Sequence, residues 1–245
     1  MNGELAGDFS MRLDKFLSGM GKATRSESGK LARSGKITVN GVVVKKADVH
    51  IDPENDVVVL NGVTVNYKKY AYIMLNKPEG YVSATDDERE KTVLDLLGDE
   101  ERRLNLFPCG RLDKNTLGLV ILTNDGDSAH RCLSPKHHVD KIYKFESKFP
   151  LTLENVDALE RGVDIGGYFT KPCKIVLHSD TSGEITLTEG KYHQIKRMLE
   201  AVDNKIIYLE RISFGGITLD SSLKRGQWRY LTDNEEKMFV GGYEK

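Results

Sequence analysis

The 245-residue sequence has few cysteines and no long apolar run, and both absences limit what it can encode. Cys109, Cys132 and Cys173 are an odd number at spacings that suit neither a disulfide framework nor a zinc knuckle. No stretch approaches the roughly 18 consecutive apolar residues of a membrane span. No basic region followed by an apolar core begins the chain, so we expect no secretory signal. We therefore expect a cytoplasmic protein without a membrane segment.

Metal-binding and nucleotide-cofactor motifs are also missing. His137–His138 and the pair Asp125 and Asp127 come closest to a ligand cluster, but no third and fourth ligand stands at a suitable spacing. The sequence contains neither a phosphate-cradling glycine-rich loop nor a dinucleotide fingerprint. We predict that the protein uses no metal and no cofactor. Residues 124–126, Asn-Asp-Gly, are typical of a turn that leads into a helix over about 127–133.

Charge is unevenly distributed along a chain whose formal net charge is −1. Residues 11–46 carry nine lysines or arginines against two acids, whereas residues 47–245 carry an excess of negative charge. Single basic residues usually mark a solvated helix face, but this clustering favours a module that binds a polyanion. The basic residues that we expect to bind substrate are Arg12, Lys15, Arg25, Lys30, Arg33 and Lys36.

Patterns in and just after this basic segment predict two helices followed by two hairpins. Apolar residues recur at helical spacing over residues 13–20, which predicts a first short helix. Thr24 and Glu27 have capping-box spacing, which predicts that a second helix begins there. Asn-Gly pairs at 40–41 and 61–62 lie between strand-like runs, and each predicts a tight β-hairpin.

Beyond a short linker near residue 68, strands and helices are interspersed irregularly. The segments that read as strands are 70–75, 119–123, 141–148, 173–178, 184–188 and 205–213. The segments that read as helices are 93–97, 153–161, 192–202 and a final helix capped by Thr232 and Glu235. This order does not suit a doubly wound parallel sheet. We predict an α+β fold in which helices flank a mainly antiparallel mixed sheet.

The most informative group of side chains lies in residues 110–119, Gly-Arg-Leu-Asp-Lys-Asn-Thr-Leu-Gly-Leu. Arg111 and Asp113 stand two positions apart, just before an apolar run at 119–122 that predicts a buried strand. An aspartate at the mouth of a buried strand suits a nucleophile or an acid–base group. A local ion pair between Arg111 and Asp113 that closes a turn explains the same residues.

Residues 110–119 resemble the Gly-Arg-Leu-Asp-x-x-Thr-x-Gly-Leu signature of the pseudouridine synthases of the RsuA type, which isomerise uridine to pseudouridine in ribosomal RNA. Other segments match this family in the same order, namely 75–81 (LNKPEGY), 141–143 (KIY), 192–198 (YHQIKRM) and 215–220 (GGITLD). The two helices and hairpins of the basic segment resemble the S4 RNA-binding domain. The resemblance implies an S4-like domain over 11–66 and a catalytic domain over 69–245. Residues 1–10 are polar and contain glycine, and we expect them to be a leader or a disordered extension.

The resemblance also implies roles for five residues. Asp113 would be the carboxylate that acts at the sugar, either by attacking C1′ or by taking a proton at C2′. Lys196 would be its cationic partner where the related large-subunit enzymes have an arginine, and Arg197 stands beside it as a further substrate-binding cation. Tyr143 would stack on the uracil and help to remove the C5 proton. Arg111 would occupy the space that the flipped nucleotide leaves.

The same motifs favour 16S rRNA, naked or within a small-subunit assembly particle, as the substrate. Residues 192–198 and 83–87 resemble the small-subunit enzymes of the family more closely than the related enzymes that act on 23S rRNA. A synthase acting on 23S rRNA and a non-catalytic S4-type RNA-binding assembly factor stay open as alternatives. The presence of Asp113, Tyr143 and Lys196 together favours an enzyme, and we expect it to be a monomer.

Overall fold

The computed structural model describes residues 10–134 and 136–241, which form two compact units. The first comprises the described residues up to Ala71 together with Leu97–Leu106, and the second comprises the rest. The predicted leader lies outside the described residues except for Ser10. No helix in the described part of the chain is long and apolar enough to cross a membrane.

The first unit has the predicted order of helices and hairpins. Its elements are β1 (Met11–Arg12), α1 (Leu13–Gly19), α2 (Arg25–Arg33), β2 (Ile37–Val39), β3 (Val42–Val43), β4 (His50–Ile51), β5 (Val58–Leu60), β6 (Val63–Val65) and α3 (Asp99–Arg102). The sheet order is β3-β2-β5-β6, and β1 pairs separately with β4. Both hairpins turn at an asparagine with a positive φ, Asn40 and Asn61, each followed by glycine, which confirms the Asn-Gly prediction.

Helix packing in this unit follows from the sequence pattern. The capping box is present, because the Thr24 hydroxyl accepts from the Glu27 backbone N–H while the Glu27 carboxylate accepts from that of Thr24. Leu13, Phe16 and Leu17 on α1 are buried in the core, as their helical spacing predicts. The short helix α3 was not predicted, since its four residues are all charged and show no apolar periodicity.

The second unit is built on a mixed sheet. Its strands are β7 (Tyr72–Lys77), β8 (Phe107–Cys109), β9 (Leu117–Thr123), β10 (Lys141–Ser147), β11 (Lys174–Leu177), β12 (Ser182–Leu187), β13 (Ile206–Phe214), β14 (Ile217–Thr218) and β15 (Trp228–Tyr230). The order is β11-β12-β10-β13-β9-β7-β15, with β8 on β9 and β14 on β13. Strands β9 and β13 run parallel, whereas the other strand pairings of the described residues are antiparallel. This confirms the predicted α+β class.

The helices of this unit are α4 (Gly126–Leu133), α5 (Leu153–Arg161), α6 (Gln194–Glu200) and α7 (Asp233–Gly241). Asp125 caps α4 by accepting from the Ser128 backbone N–H, and it also accepts from the Tyr72 hydroxyl at 2.7 Å. Asp125 therefore has a structural role at the predicted turn. The predicted helix at 93–97 is a single 3₁₀ turn, Val93–Leu96.

Gly118 permits the close approach of β9 to its parallel neighbour β13. Its φ is +96°, and a Cβ atom there would lie 2.3 Å from the carbonyl oxygen of Arg211, its register partner on β13. A backbone of this conformation is open to glycine and strained for other residues. The second glycine of the 110–119 motif is thus required by the sheet.

Substituting Gly118→Ala should lower the free energy of unfolding by about 3 kcal/mol or more, because a positive φ and a backbone clash combine. Urea denaturation measures this loss. Gly126→Ala is the matched control, since nothing lies within 4 Å of a Cβ at the first position of α4. Equal stability of the two variants would contradict the packing argument.

Candidate active site

A cleft of about 540 Å³ in the second unit brings together the side chains that the sequence singled out. Asp113, Tyr143 and Lys196 all line it, together with Arg111, which is exposed. The loop between β8 and β9 carries Asp113, strand β10 carries Tyr143 and helix α6 carries Lys196. Residues far apart in the chain therefore converge on one site.

The carboxylate of Asp113 is paired with a cation. Its Oδ2 accepts a hydrogen bond from the Lys196 Nζ at 2.6 Å, and the His193 Nε2 lies 3.6 Å from its Oδ1. Among residues 10–134 and 136–241 these two are its ion partners, so the alternative of an Arg111–Asp113 pair is not found. All three side chains are half-buried.

The position of Lys196 on helix α6 follows from the apolar stripe of that helix. Ile195, Met198 and Leu199 are buried, which leaves the side chain of Lys196 on another face. Arg197 does not line the cleft, and its guanidinium lies close to Gly166 instead. Of the two adjacent cations, Lys196 is the one that contacts Asp113.

The loop that carries Asp113 is held from within by Lys77, at the end of β7. Lys77 is fully buried, and its Nζ lies 3.1 Å from the carbonyl oxygens of Pro78, Asp113 and Lys114 and 2.8 Å from that of Thr116. Burial lowers the pKa of Lys77 to about 8, an effect that Asp113 partly offsets. Lys77 thus fixes the backbone of the loop at Asp113 and at the residues that follow it.

A serine hydroxyl gives this loop a second anchor. Ser83 is buried, and its Oγ accepts from the Leu112 backbone N–H while donating to the Leu112 carbonyl, both at 3.1 Å. Neither Lys77 nor Ser83 was among the site residues predicted from the sequence. One usable signal was a lysine at the end of the apolar run 71–75, where a charge needs a dedicated set of partners.

Tyr192 and His193, from the matched segment 192–198, also line the cleft, although neither was among the predicted site residues. Their rings stack with centroids 3.8 Å apart, and Tyr192 is 74% exposed. His193 has a left-handed backbone with φ of 51°, which places it just before α6. An exposed aromatic ring at the edge of a cleft suits stacking on a nucleic-acid base.

The substrate-binding residues expected in the first unit are all exposed there: Arg12, Lys15, Arg25, Lys30, Arg33 and Lys36. Arg12 differs from the others because its guanidinium donates two hydrogen bonds to Asp14, at 2.7 and 3.1 Å. These bonds lower the pKa of Asp14. Most of the predicted basic surface is therefore open to a polyanion.

In the described part of the chain no group of three His, Cys, Asp or Glu side chains is arranged to hold a metal ion. Cys109 and Cys132 are buried, and Cys173 is partly buried.

Comparison with known proteins identifies the family. The profile of the RNA pseudouridylate synthase family matches residues 71–201, and that of the S4 domain matches residues 11–58. A Bacillus subtilis protein described as the uncharacterized RNA pseudouridine synthase YtzG is 46% identical over 230 residues, covering 92% of this chain and 96% of the relative. The chain belongs to the RNA pseudouridylate synthase family.

Further relatives agree with this membership. The Escherichia coli protein named ribosomal small subunit pseudouridine synthase A is 39% identical over 227 residues, covering 92% of this chain and 98% of the relative. A crystal structure of a pseudouridylate synthase superposes with a TM-score of 0.66 at 36% identity, covering 94% of this chain and 100% of that one. This member of the family is an RNA pseudouridine synthase, an isomerase, with an amino-terminal S4 domain.

We expect Lys77→Met to destabilise the synthase by about 3 kcal/mol, because the substitution leaves several backbone carbonyl oxygens buried without a donor. Urea denaturation measures the loss, and faster amide hydrogen exchange over residues 113–116 should accompany it. Lys91→Met, at an exposed lysine, is the matched control. A Lys77→Met protein as stable as this control would contradict the anchoring role.

Proposed function

We propose that this synthase converts uridine to pseudouridine in 16S rRNA and that Asp113 is the carboxylate essential to the reaction. The observation that carries the proposal is the 2.6 Å contact between Asp113 and Lys196 in a cleft that Tyr143 and Arg111 also line. The similarity of this chain to ribosomal small subunit pseudouridine synthase A supports the choice of 16S rRNA as the substrate.

The reaction needs few chemical groups. The N1–C1′ bond of uridine breaks, the detached uracil turns, and C5 joins C1′ with loss of the C5 proton. The isomerisation has no net oxidation and no transfer to a second molecule. It requires a carboxylate at the sugar, a proton acceptor near C5 and a means of taking the nucleotide out of its stack.

Asp113 fits the first requirement. A charged carboxylate can attack C1′ directly or accept a proton from C2′, and either step needs it ionised. The ammonium of Lys196 lies 2.6 Å from this carboxylate, and the anchoring of the loop by Lys77 keeps the carboxylate in place before substrate arrives. Lys196 thus acts as the electrostatic partner of Asp113.

Tyr143 and Arg111 fit the remaining requirements. Tyr143 is 9% exposed in the cleft wall, where its ring can stack on a uracil and its hydroxyl can assist removal of the C5 proton. Arg111 is exposed beside it, and a planar guanidinium can stack in the gap that a flipped nucleotide leaves.

The S4 domain supplies affinity rather than chemistry. Its exposed lysines and arginines contact phosphates, which hold the RNA in register without reading its sequence. We assign the S4-like domain to residues 11–66 and the catalytic domain to residues 69–245. The enzyme acts as a monomer in the cytoplasm, on rRNA that is naked or part of a small-subunit assembly particle.

Release of tritium from rRNA labelled with [5-³H]uridine tests this function, because the label leaves only when C5 loses its proton. We expect release from 16S rRNA and not from 23S rRNA. Asp113→Asn, which keeps the side-chain size, should slow release by about a thousandfold or more. Asp140→Asn, at an exposed aspartate, is the matched control and should retain the wild-type rate.

Each part of the proposal has its own contradicting result. Release from 23S rRNA alone would overturn the choice of substrate while leaving the reaction intact. Undiminished release by Asp113→Asn would overturn the role of Asp113. No release from naked rRNA or from assembly particles would favour a non-catalytic RNA-binding protein.

A further inference from the structure

A second, smaller pocket opens beside the catalytic cleft, and we name it the lateral pocket. It has a volume of about 220 Å³ and shares Arg111, Tyr143 and Glu189 with the cleft. Lys141, Lys171 and Arg211 also line it, as does Lys191, which lines the cleft as well. None of these four is used by the reaction proposed above, so the concentration of positive charge there needs another explanation.

Arg211 is the most deeply buried of these cations, with 2% of its surface exposed. It lies on β13 opposite Tyr143 on β10, next to a register shift between the two strands. Its Nε donates to the Leu119 carbonyl at 2.8 Å, but its Nη2 is buried without a hydrogen-bond partner among the described residues. A buried guanidinium with an unused donor is costly unless an acceptor is bound at times.

Lys141 places a second cation next to Arg211. The Lys141 Nζ lies 5.6 Å and the Arg211 Cζ 5.0 Å from the centroid of the same ring, Phe214. Burial, and then the charge of Arg211, lowers the pKa of Lys141 to about 8. Within the described residues no carboxylate lies within 4 Å of either cation. Two adjacent cations in this situation favour the binding of an anion.

The acidic residue in the wall of the lateral pocket, Glu189, does not supply the anion that Arg211 and Lys141 lack. Glu189 is buried, and its carboxylate already accepts from the Tyr168 hydroxyl at 2.6 Å, the Gln194 Nε2 at 2.8 Å and the Lys171 backbone N–H at 3.0 Å. Burial opposes its ionisation, but these three hydrogen bonds outweigh that effect and lower its pKa. Glu189 is therefore an ionised group that is satisfied elsewhere, and the pocket keeps an excess of positive charge.

We propose that the lateral pocket binds a phosphate group of the RNA strand, next to the uridine that enters the catalytic cleft. The inference rests on the proposed function, because it takes the neighbouring cleft as the uridine site. A phosphodiester supplies the missing acceptor for Arg211 and the missing counter-ion for Lys141. Since the two cavities share walls, one strand can occupy both. The contact sets the position of the strand and carries no sequence information.

Ethylation interference tests the pocket whichever uridine is the target, because it samples every phosphate of the RNA. A 16S rRNA transcript is ethylated at random on its phosphates, which removes one charge at each modified position, and the bound and free fractions are mapped. The variants are Lys141→Met, which keeps an apolar stem on the Phe214 ring, and Arg211→Lys, which keeps the charge but loses the guanidinium fork. Lys144→Met is the matched control, because Lys144 is an exposed lysine on the same strand that lines neither cavity.

Wild-type enzyme and Lys144→Met should show the same interfering phosphates. Lys141→Met should lose one or two of them, close to the modified uridine, and keep the others. Its Kd for the transcript should rise roughly tenfold, and the slope of log K against log salt should become shallower by about 0.7. Arg211→Lys should weaken the same positions.

An interference pattern that is identical in the wild type and both pocket variants would overturn the proposal, as would its complete absence in the wild type. Tritium release by the same wild-type preparation reports separately on the proposed function. If the pocket variants lose interfering phosphates but the wild type releases no tritium, the phosphate site is supported and the proposed reaction is contradicted. Tritium release with an unchanged interference pattern would support the reaction and contradict the phosphate site.

Discussion

The buried ammonium of Lys77 is the constraint on which the rest of the site depends. A lysine with no exposed surface is unfavourable unless its charge is met by several acceptors, and here backbone carbonyl oxygens supply them. Three of those carbonyls belong to the loop that carries the Asp113 carboxylate. The interaction that satisfies Lys77 is therefore the one that gives the loop its shape, and the geometry of the site exists before RNA binds.

Lys77, Lys196 and Arg211 in the catalytic unit have different roles because their side chains donate hydrogen bonds differently. Lys77 is compact and can donate to several converging carbonyl oxygens, whereas Lys196 faces a single carboxylate oxygen. Arg211 has a planar guanidinium. Its Nε donates to the Leu119 carbonyl oxygen, and its Nη2 has no hydrogen-bond partner in the described part of the chain. Gly118 lets β9 approach the backbone of Arg211, so the same strand contact supports both the loop and the lateral pocket.

The sequence predicted features that depend on local chemistry and missed those that depend on long-range contacts. The capping box at Thr24 and the turn at 124–126 before α4 could be predicted because they depend on residues at most three positions apart. Strands β8 and β15, of three residues each, were not, since they are too short to show a period. Family resemblance joined Asp113 to Lys196 across 83 residues of chain. The contact of His193 with Asp113 depends on a left-handed backbone that no periodicity indicates.

Catalysis by this synthase depends, in our proposal, on a fixed Asp113 carboxylate that acts with the Lys196 ammonium as its partner. The most direct test is the single-turnover rate of pseudouridine formation by Lys196→Met and Lys196→Arg, measured beside their affinities for the same RNA. We expect Lys196→Met to slow the rate by about a hundredfold with little change in affinity. We expect Lys196→Arg to stay within about tenfold of the wild type, because the charge is kept. A wild-type rate in Lys196→Met would contradict this role of the pair.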